Sequence, residues 1–482
     1  MPTRALRWLS WFHRWTGVVL CLIFALWFAS GAILIFVPFP SLSDRDRLAA
    51  SERIDLTAIR TAPARALAVA GGSRSLRLIE AAGRPLYVVQ PDDGPDRAID
   101  AATGRMAPQI DAATAGAIAS RFGGAAVRSV KGPLNYDQWV VHQHFDPWRP
   151  LFRVALNDPL GTQLYVSART GEVVQRTRAG ERAWNWAGAV THWIYFTALR
   201  KSFRAWDQTV WWVSLAGLAT ALVGTFLGLY RTQKRLGGRR PDWSPFRGWL
   251  RWHHGLGLGA AAFVLIWIFS GWLSMDHGRL FSRGEAPLEA LFVYHGAPLA
   301  QAMASVAPAD FSGLGPASQI DLDVVGGRAF AVGESGSTPA QARLLDPVAA
   351  RDTSQLPTAL VADAAARAWP LASRTPRGPG ATDDLYRKAE GMPGRAVSFP
   401  LTTPAAASIY IDPVTGRFIV LMNPSRKAYA WFYYALHTFN LPGLIDHPNL
   451  RRGLELILVT LGLGFSVTGL VIAVKRLRIA TA

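Results

Sequence analysis

The chain is poor in the residues that ordinarily hold metals and cofactors. Among 482 residues there is one cysteine, Cys21. That excludes internal disulfides, thiolate zinc sites, iron–sulfur clusters and covalent haem attachment through Cys-x-x-Cys-His. No Gly-x-Gly-x-x-Gly follows a strand pattern, and no phosphate-binding loop or Ser/His/Asp arrangement stands out, so nucleotide folds and triad hydrolases lack support. Acidic residues number 33 against 51 basic ones, a net charge of +18. The four longest apolar stretches read as free of buried Asp or Glu, which weakens an ion-pathway or transporter reading.

What is present is hydrophobic length. Half the residues are apolar and 19 are Trp. Four windows reach the roughly 20 apolar residues that cross hydrocarbon: Gly17 to Val37, Thr209 to Tyr230, Leu256 to Met275 and Leu454 to Val474. The first follows Arg4, Arg7 and Arg14 but is longer than a secretory signal core and has a twin in mid-chain, so it reads as a retained anchor. Basic residues cluster before the first span, between the second and third (Arg231, Lys234, Arg235, Arg239, Arg240, Arg247, Arg251) and after the fourth (Lys475, Arg476, Arg478). Positive charge on alternate connections sets topology rather than nucleic-acid binding, and it places both termini and the middle loop in the cytoplasm.

The sequence also repeats itself. His13 precedes Trp27-Phe28-Ala29-Ser30-Gly31 as His253 precedes Trp267-Ile268-Phe269-Ser270-Gly271. His192, Gly217, Gly224 and Arg231 recur as His437, Gly462, Gly469 and Arg476. Each half reads as a span, an external domain, an aromatic approach segment and a second span. An even number of crossings gives the halves one orientation and a two-fold axis along the membrane normal. The expected division is 1–37, first span; 38–183, external domain; 184–230, approach segment and second span; 231–255, basic loop; 256–275, third span; 276–426, external domain; and 427–482, approach segment, fourth span and tail. Within the external domains, Asp100 to Gly104, Ser167 to Gly171 and Asp412 to Gly416 read as hairpin turns. Ala112 to Phe122 and Thr358 to Trp369 read as helices laid on a sheet.

Tyr165-Val166-Ser167 running into Thr170-Gly171-Glu172-Val173, and Tyr410-Ile411-Asp412-Pro413 running into Thr415-Gly416-Arg417, look like the strand-turn-strand signature of PepSY modules. With the His-Arg-Trp-Thr-Gly start of the first span and Leu436-His437-Thr438, the chain resembles the PepSY-associated transmembrane helix family. That family includes iron-regulated inner-membrane proteins and ferric-siderophore reductases that bind b-type haem. The fold expected is an α-helical membrane protein with four transmembrane helices in two parallel pseudo-two-fold repeats, plus two periplasmic α+β PepSY-like domains. The resemblance implies a bacterial inner-membrane location.

The histidines carry the chemistry. Eighteen residues make five helical turns, so His13 and Gly31 share a face about 27 Å apart, as do His253 and Gly271. A bis-histidine haem needs one imidazole from each of two facing helices. His13 with His253 meets that description on the inner side, with Gly17 and Gly257 one turn beyond giving room for a porphyrin. His192 with His437 forms the outer pair, with Gly31 and Gly271 making room from below and Trp186, Trp193 and Trp431 as lining. Two b-type haems are expected. His254 is a rival ligand to His253, but its counterpart Arg14 cannot ligate. Arg7 and Arg247, six residues before each inner histidine, are candidates for haem propionates. His142 and His144, at strand spacing and present in one half only, are candidates for contact with substrate or metal. His277, His295 and His447 have no matched partner and no assigned role.

The reading that follows is a haem-containing oxidoreductase passing electrons outward from a separate cytoplasmic or quinol donor to a periplasmic ferric siderophore. The alternative is a non-enzymatic membrane regulator or scaffold whose modules bind a periplasmic protein.

Overall fold

The computed structural model describes residues 3–71, 73–237, 242–337, 340–345, 352–353, 355–378, 380, 383–403 and 406–480. Arg239 and Arg240 lie outside the described residues. Four helices are long and apolar enough to cross a membrane: α1 (Thr3–Leu34), α2 (Phe203–Leu236), α3 (Trp249–Ser274) and α4 (Pro448–Ala480). The windows Thr209 to Tyr230 and Leu454 to Val474 lie inside α2 and α4, whereas Gly17 to Val37 and Leu256 to Met275 overrun the C-terminal ends of α1 and α3. α1 and α3 begin well before the apolar windows, so His13 and His253 lie within helix, as their five-turn spacing to Gly31 and Gly271 requires. The ends follow local chemistry. Ser202 caps α2 by accepting the Ala205 N–H at 3.4 Å, and Pro448 opens α4 where a missing N–H is harmless.

α1 packs on α2 and α4, and α3 packs on the same two, so α1 and α3 face one another across the bundle. Between them the axis is filled by Leu20, Phe24 and Phe28 from α1 and Ala260, Val264 and Ile268 from α3, all buried. The four-residue spacing puts each trio on one helical stripe.

The rest is sheet. β1 (Ser75–Ala81), β2 (Arg84–Gln90) and β3 (Arg97–Asp100) precede a four-stranded sheet of β4 (Val127–Leu134), β5 (Leu151–Leu156), β6 (Gln163–Ser167) and β7 (Val173–Thr177). The second half supplies β8 (Gln319–Val325), β9 (Arg328–Glu334), β10 (Gln341–Leu344) and β11 (Asp352–Thr353), then a three-stranded sheet of β12 (Val397–Pro400), β13 (Ser408–Ile411) and β14 (Phe418–Met422). The expected turns join β6 to β7 and β13 to β14, with Gly171 and Gly416 at φ of 75° and 63°.

The segments 38–183 and 276–426 are not separate modules. β1 pairs antiparallel with β8, from Leu76 opposite Leu322 to Ile79 opposite Gln319, so one sheet in the order β11-β10-β9-β8-β1-β2-β3 runs through both halves. One core serves both as well, with Leu76, Leu78, Tyr87 and Ile99 packed together with Phe311, Ile320 and Leu322.

Arg77 stands on this shared seam opposite Asp321. Its guanidinium bonds both carboxylate oxygens of Glu172 and donates to Asp96 at 2.6 Å. Trp148 donates its indole N–H to the same Glu172 at 3.1 Å. Asp96 and Glu172 are nearly solvent-free. Arg77→Met would leave two buried carboxylates without their cation, a loss of about 3–5 kcal/mol. The expected outcome is a markedly lower thermal unfolding midpoint in detergent; an unchanged midpoint would show that the seam does not depend on this ion cluster.

Candidate functional site

His13 and His253 project from α1 and α3 toward each other, with ring centres 6.4 Å apart and planes 37° from parallel. His13 Nδ1 lies 3.0 Å from the Thr220 carbonyl on α2. A carbonyl only accepts, so the ring proton is on Nδ1. His253 Nδ1 lies 3.0 Å from the Thr468 hydroxyl on α4, which itself donates to the Phe465 carbonyl at 2.6 Å. That hydroxyl therefore receives the Nδ1 proton, and the same tautomer follows. Gly224 and Gly469 bring α2 and α4 against the two rings, since a Cβ at either position would meet the imidazole it faces.

His192 and His437 form the second pair, again with ring centres 6.4 Å apart, at an interplanar angle of 60°. Each follows a short helix, Ala179–Asn185 or Pro424–Tyr429, that widens into a π-helical turn, Trp186–Val190 or Ala430–Ala435. The peptide after each histidine is tied to the next membrane helix. Trp206 donates to the Trp193 carbonyl at 2.8 Å, and Arg451 to the Thr438 carbonyl at 2.9 Å. Ser30 and Ser270 donate to the carbonyls of Trp27 and Trp267 at 3.1 Å, and each accepts from His192 or His437 Nδ1 at 3.0 Å. Burial, helped by the facing His437, pushes His192 down to about 4; burial pushes His437 down to about 4 as well. Both rings are neutral at pH 7, the form that ligates metals.

All four imidazoles thus carry the proton on Nδ1 and a lone pair on Nε2. Among the described residues no hydrogen bond reaches any of these four Nε2 atoms. Two lone pairs cannot bond one another, so each pair of rings lacks an electron-pair acceptor. Two imidazoles bound in trans to one metal at about 2.0–2.1 Å have ring centres roughly 6.3 Å apart. Both pairs match that spacing. Among the described residues no group of three or more His, Cys, Asp or Glu could hold a metal ion, so a metal here needs its remaining donors from elsewhere.

Several expected roles are corrected. Gly31 and Gly271 border the outer imidazoles: a Cβ there would meet His192 Cε1 at 3.6 Å and His437 Cε1 at 3.1 Å. Gly17 does border open space, but Gly257 is covered by the Phe465 ring, which also stacks on His253 at 4.9 Å. His254 is turned away, its Nδ1 held by Ser244 at 2.8 Å and its Nε2 by the Gly228 carbonyl at 3.1 Å. Arg7 and Arg247 are exposed. Trp186 and Trp431 are exposed as well.

His142 and His144 are not on a strand. His142 caps the 3-10 turn Gln143–Trp148, and the two Nδ1 atoms are 2.8 Å apart. Burial together with the facing His144 pushes His142 down to about 4. His277, unmatched across the repeat, bonds Asp207 at 2.6 Å, and His295 bonds the Val324 carbonyl at 2.7 Å. The spans do contain buried acids, Asp207 and Glu455. Each is paired, with His277 or Arg451, near the sheet-bearing ends of α2 and α4, while the axis between the histidine pairs stays apolar.

Gly224 and Gly469 recur at one interval with His192 and His437, but nothing in the recurrence named the histidines they touch. They differ in tightness: the position facing His13 overlaps its ring, whereas at Gly469 the nearest His253 atom is 3.4 Å away. Gly224→Ala should therefore destabilise by about 1–3 kcal/mol despite alanine's better helix propensity. Gly469→Ala should be near neutral. Thermal unfolding of the two variants checks the contrast, and equal effects would contradict the packing.

Comparison with curated proteins gives no match. The family description PepSY-associated TM region matches residues 10–335, more than half the chain, and takes in α1, α2, α3 and the β1–β8 seam. With four membrane-length helices carrying a sheet-rich portion between them, this chain belongs to the PepSY-associated TM region family.

Proposed function

We propose that the protein is an inner-membrane electron carrier that holds two b-type haems, one between His13 and His253 and one between His192 and His437, and reduces a periplasmic ferric siderophore. The observation that carries this reading is the matched pair of imidazole pairs, each with 6.4 Å between ring centres and each with both Nδ1 protons engaged. His13 with His253, and His192 with His437, would hold the iron of such a haem, which when bound would supply one-electron chemistry between Fe(III) and Fe(II). Hydrogen bonds to Nδ1 orient the rings and raise the basicity of Nε2.

Five helical turns separate His13 from Gly31, which touches His192, so the pairs lie about 27 Å apart. Leu20, Phe24, Phe28 and their α3 partners exclude water from the interval. Positive charge at the His13 end puts that end in the cytoplasm and the sheets outside, with the halves related by a two-fold axis along the membrane normal. The ferric chelate as acceptor follows from what the family includes; reduction to Fe(II) weakens iron in a hard oxygen cage, so the metal is released.

An absorption spectrum of the detergent-purified protein tests the reading. The expected result is a Soret band, reduced-state α and β bands, and about two haems per chain. His13→Ala should remove the inner haem and leave the outer one, and His437→Ala the reverse. A colourless, folded protein would sink the proposal and leave the scaffold reading in its place.

A further inference from the structure

Arg231 and Arg476 are equivalent residues of the two halves. Each stands seven residues beyond the glycine that touches an inner imidazole, Gly224 against His13 and Gly469 against His253. Seven residues are two helical turns, so both arginines lie on the faces of α2 and α4 that look at this histidine pair, roughly 10 Å nearer the bundle end away from the sheets. The Arg231 guanidinium is held in place: it donates to Ser10 Oγ at 2.9 Å and lies 5.4 Å over the Phe246 ring. Ser10 precedes His13 by three residues on the same face of α1, so this guanidinium sits one turn beneath the His13 ring, on which its charge acts. Arg14 lies close enough to both Arg231 and Arg476 for like charges to repel. Acids do not balance them. Residues 1–43, 243–275 and 456–482 contain no Asp or Glu, and the one acid between 208 and 242, Asp242, is taken by Arg251 at 3.2 Å. Arg231 and Arg476 are nonetheless half-buried. Half-buried cations gathered without a carboxylate are unfavourable unless an anion shares them.

We infer that Arg231 and Arg476 form an oxyanion site that takes the two propionate carboxylates of the haem between His13 and His253, with Arg14 adding positive charge from α1. The assignment rests on the proposed function. A b-type haem carries both propionates on one edge, and two guanidiniums related by the repeat meet them one each. A guanidinium fork binds a carboxylate through parallel charge-assisted hydrogen bonds. The phosphate of a lipid shares this chemistry but belongs at the outer surface of the bundle, whereas Arg231 is lodged between Ser10 of α1 and Phe246 of the basic loop. Arg7 and Arg247, which are exposed, are left to set topology. Ser10 has Leu250 as its counterpart, so only the first-half guanidinium is fixed in advance.

The test uses the full chain with His437→Ala, which leaves the inner centre alone, purified in detergent from haem-deficient cells. It is titrated with haem b or with haem b dimethyl ester, which has no free carboxylate, and the Soret band is followed. Arg231→Gln together with Arg476→Gln should weaken haem b roughly tenfold to hundredfold, the effect of losing charge-assisted hydrogen bonds, and leave the ester unchanged. Arg7→Gln together with Arg247→Gln should change neither. An equal loss for haem b and the ester would show that Arg231 and Arg476 only support the fold, and would overturn the assignment. Bound phosphatidylglycerol, counted by native mass spectrometry, that disappears from the Arg231→Gln, Arg476→Gln protein while its haem b affinity is kept would give the site to lipid phosphate instead. Protein that takes up neither porphyrin would sink the haem reading and this assignment with it; protein that takes up both with an affinity indifferent to the arginines would sink this assignment alone.

Discussion

Four hydrogen bonds, each from the Nδ1–H of a buried imidazole to an oxygen on a neighbouring helix, are the constraint on which the rest of the site depends. One such bond contributes only about 1 kcal/mol to stability. Its larger consequence is to choose the tautomer and the ring orientation, and so to leave a lone pair on Nε2. A ring nitrogen without a partner forgoes about 1 kcal/mol of hydrogen bonding, and these four half-buried rings each leave Nε2 without one. A purely structural role for these histidines would be served better by rings with both nitrogens engaged, as His254 has. Adjacent residues differ within a single turn: His253 leaves Nε2 without a hydrogen bond, whereas both nitrogens of His254 are engaged.

How much of this was legible in the sequence depended on whether the signal was repetition or adjacency. Duplication reported itself through equal intervals, so His13, His253, His192 and His437 could be paired before any geometry was known. The hairpins were readable because Asp or Ser followed by Thr-Gly has local meaning: Asp100 accepts from its own turn, and Gly171 takes positive φ. Contacts between distant segments were another matter. Ser30 and Ser270 marked the repeat, yet their bonds to histidines more than 160 residues away are set by how the approach segments fold onto α1 and α3. Helix ends were missed for a simpler reason. A count of apolar residues starts at Gly17 or Leu256, whereas the backbone is already helical through the preceding residues that suit the interface.

The β1–β8 seam was invisible for a related cause, because a strand's alternation shows which face is buried and says nothing of its neighbour. Its consequence reaches the site. Joined through one sheet and one core, the two halves cannot shift independently, and that fixes the approach segments that deliver His192 and His437. Arg77 and Asp321 occupy facing positions with opposite charge, so the seam joins unlike partners.

Departures from likeness are as informative as the repeat. Thr220 stands where the second half has Phe465, whose ring stacks on His253 at 4.9 Å. Gly188 stands where the second half has Tyr433, which stacks on His437 at 5.6 Å. In both cases the second-half histidine has an aromatic neighbour that its first-half counterpart lacks. An even repetition would not create that difference. The asymmetry therefore lies in what surrounds the imidazole pairs, with a threonine and a glycine on one side matched by two aromatic rings on the other.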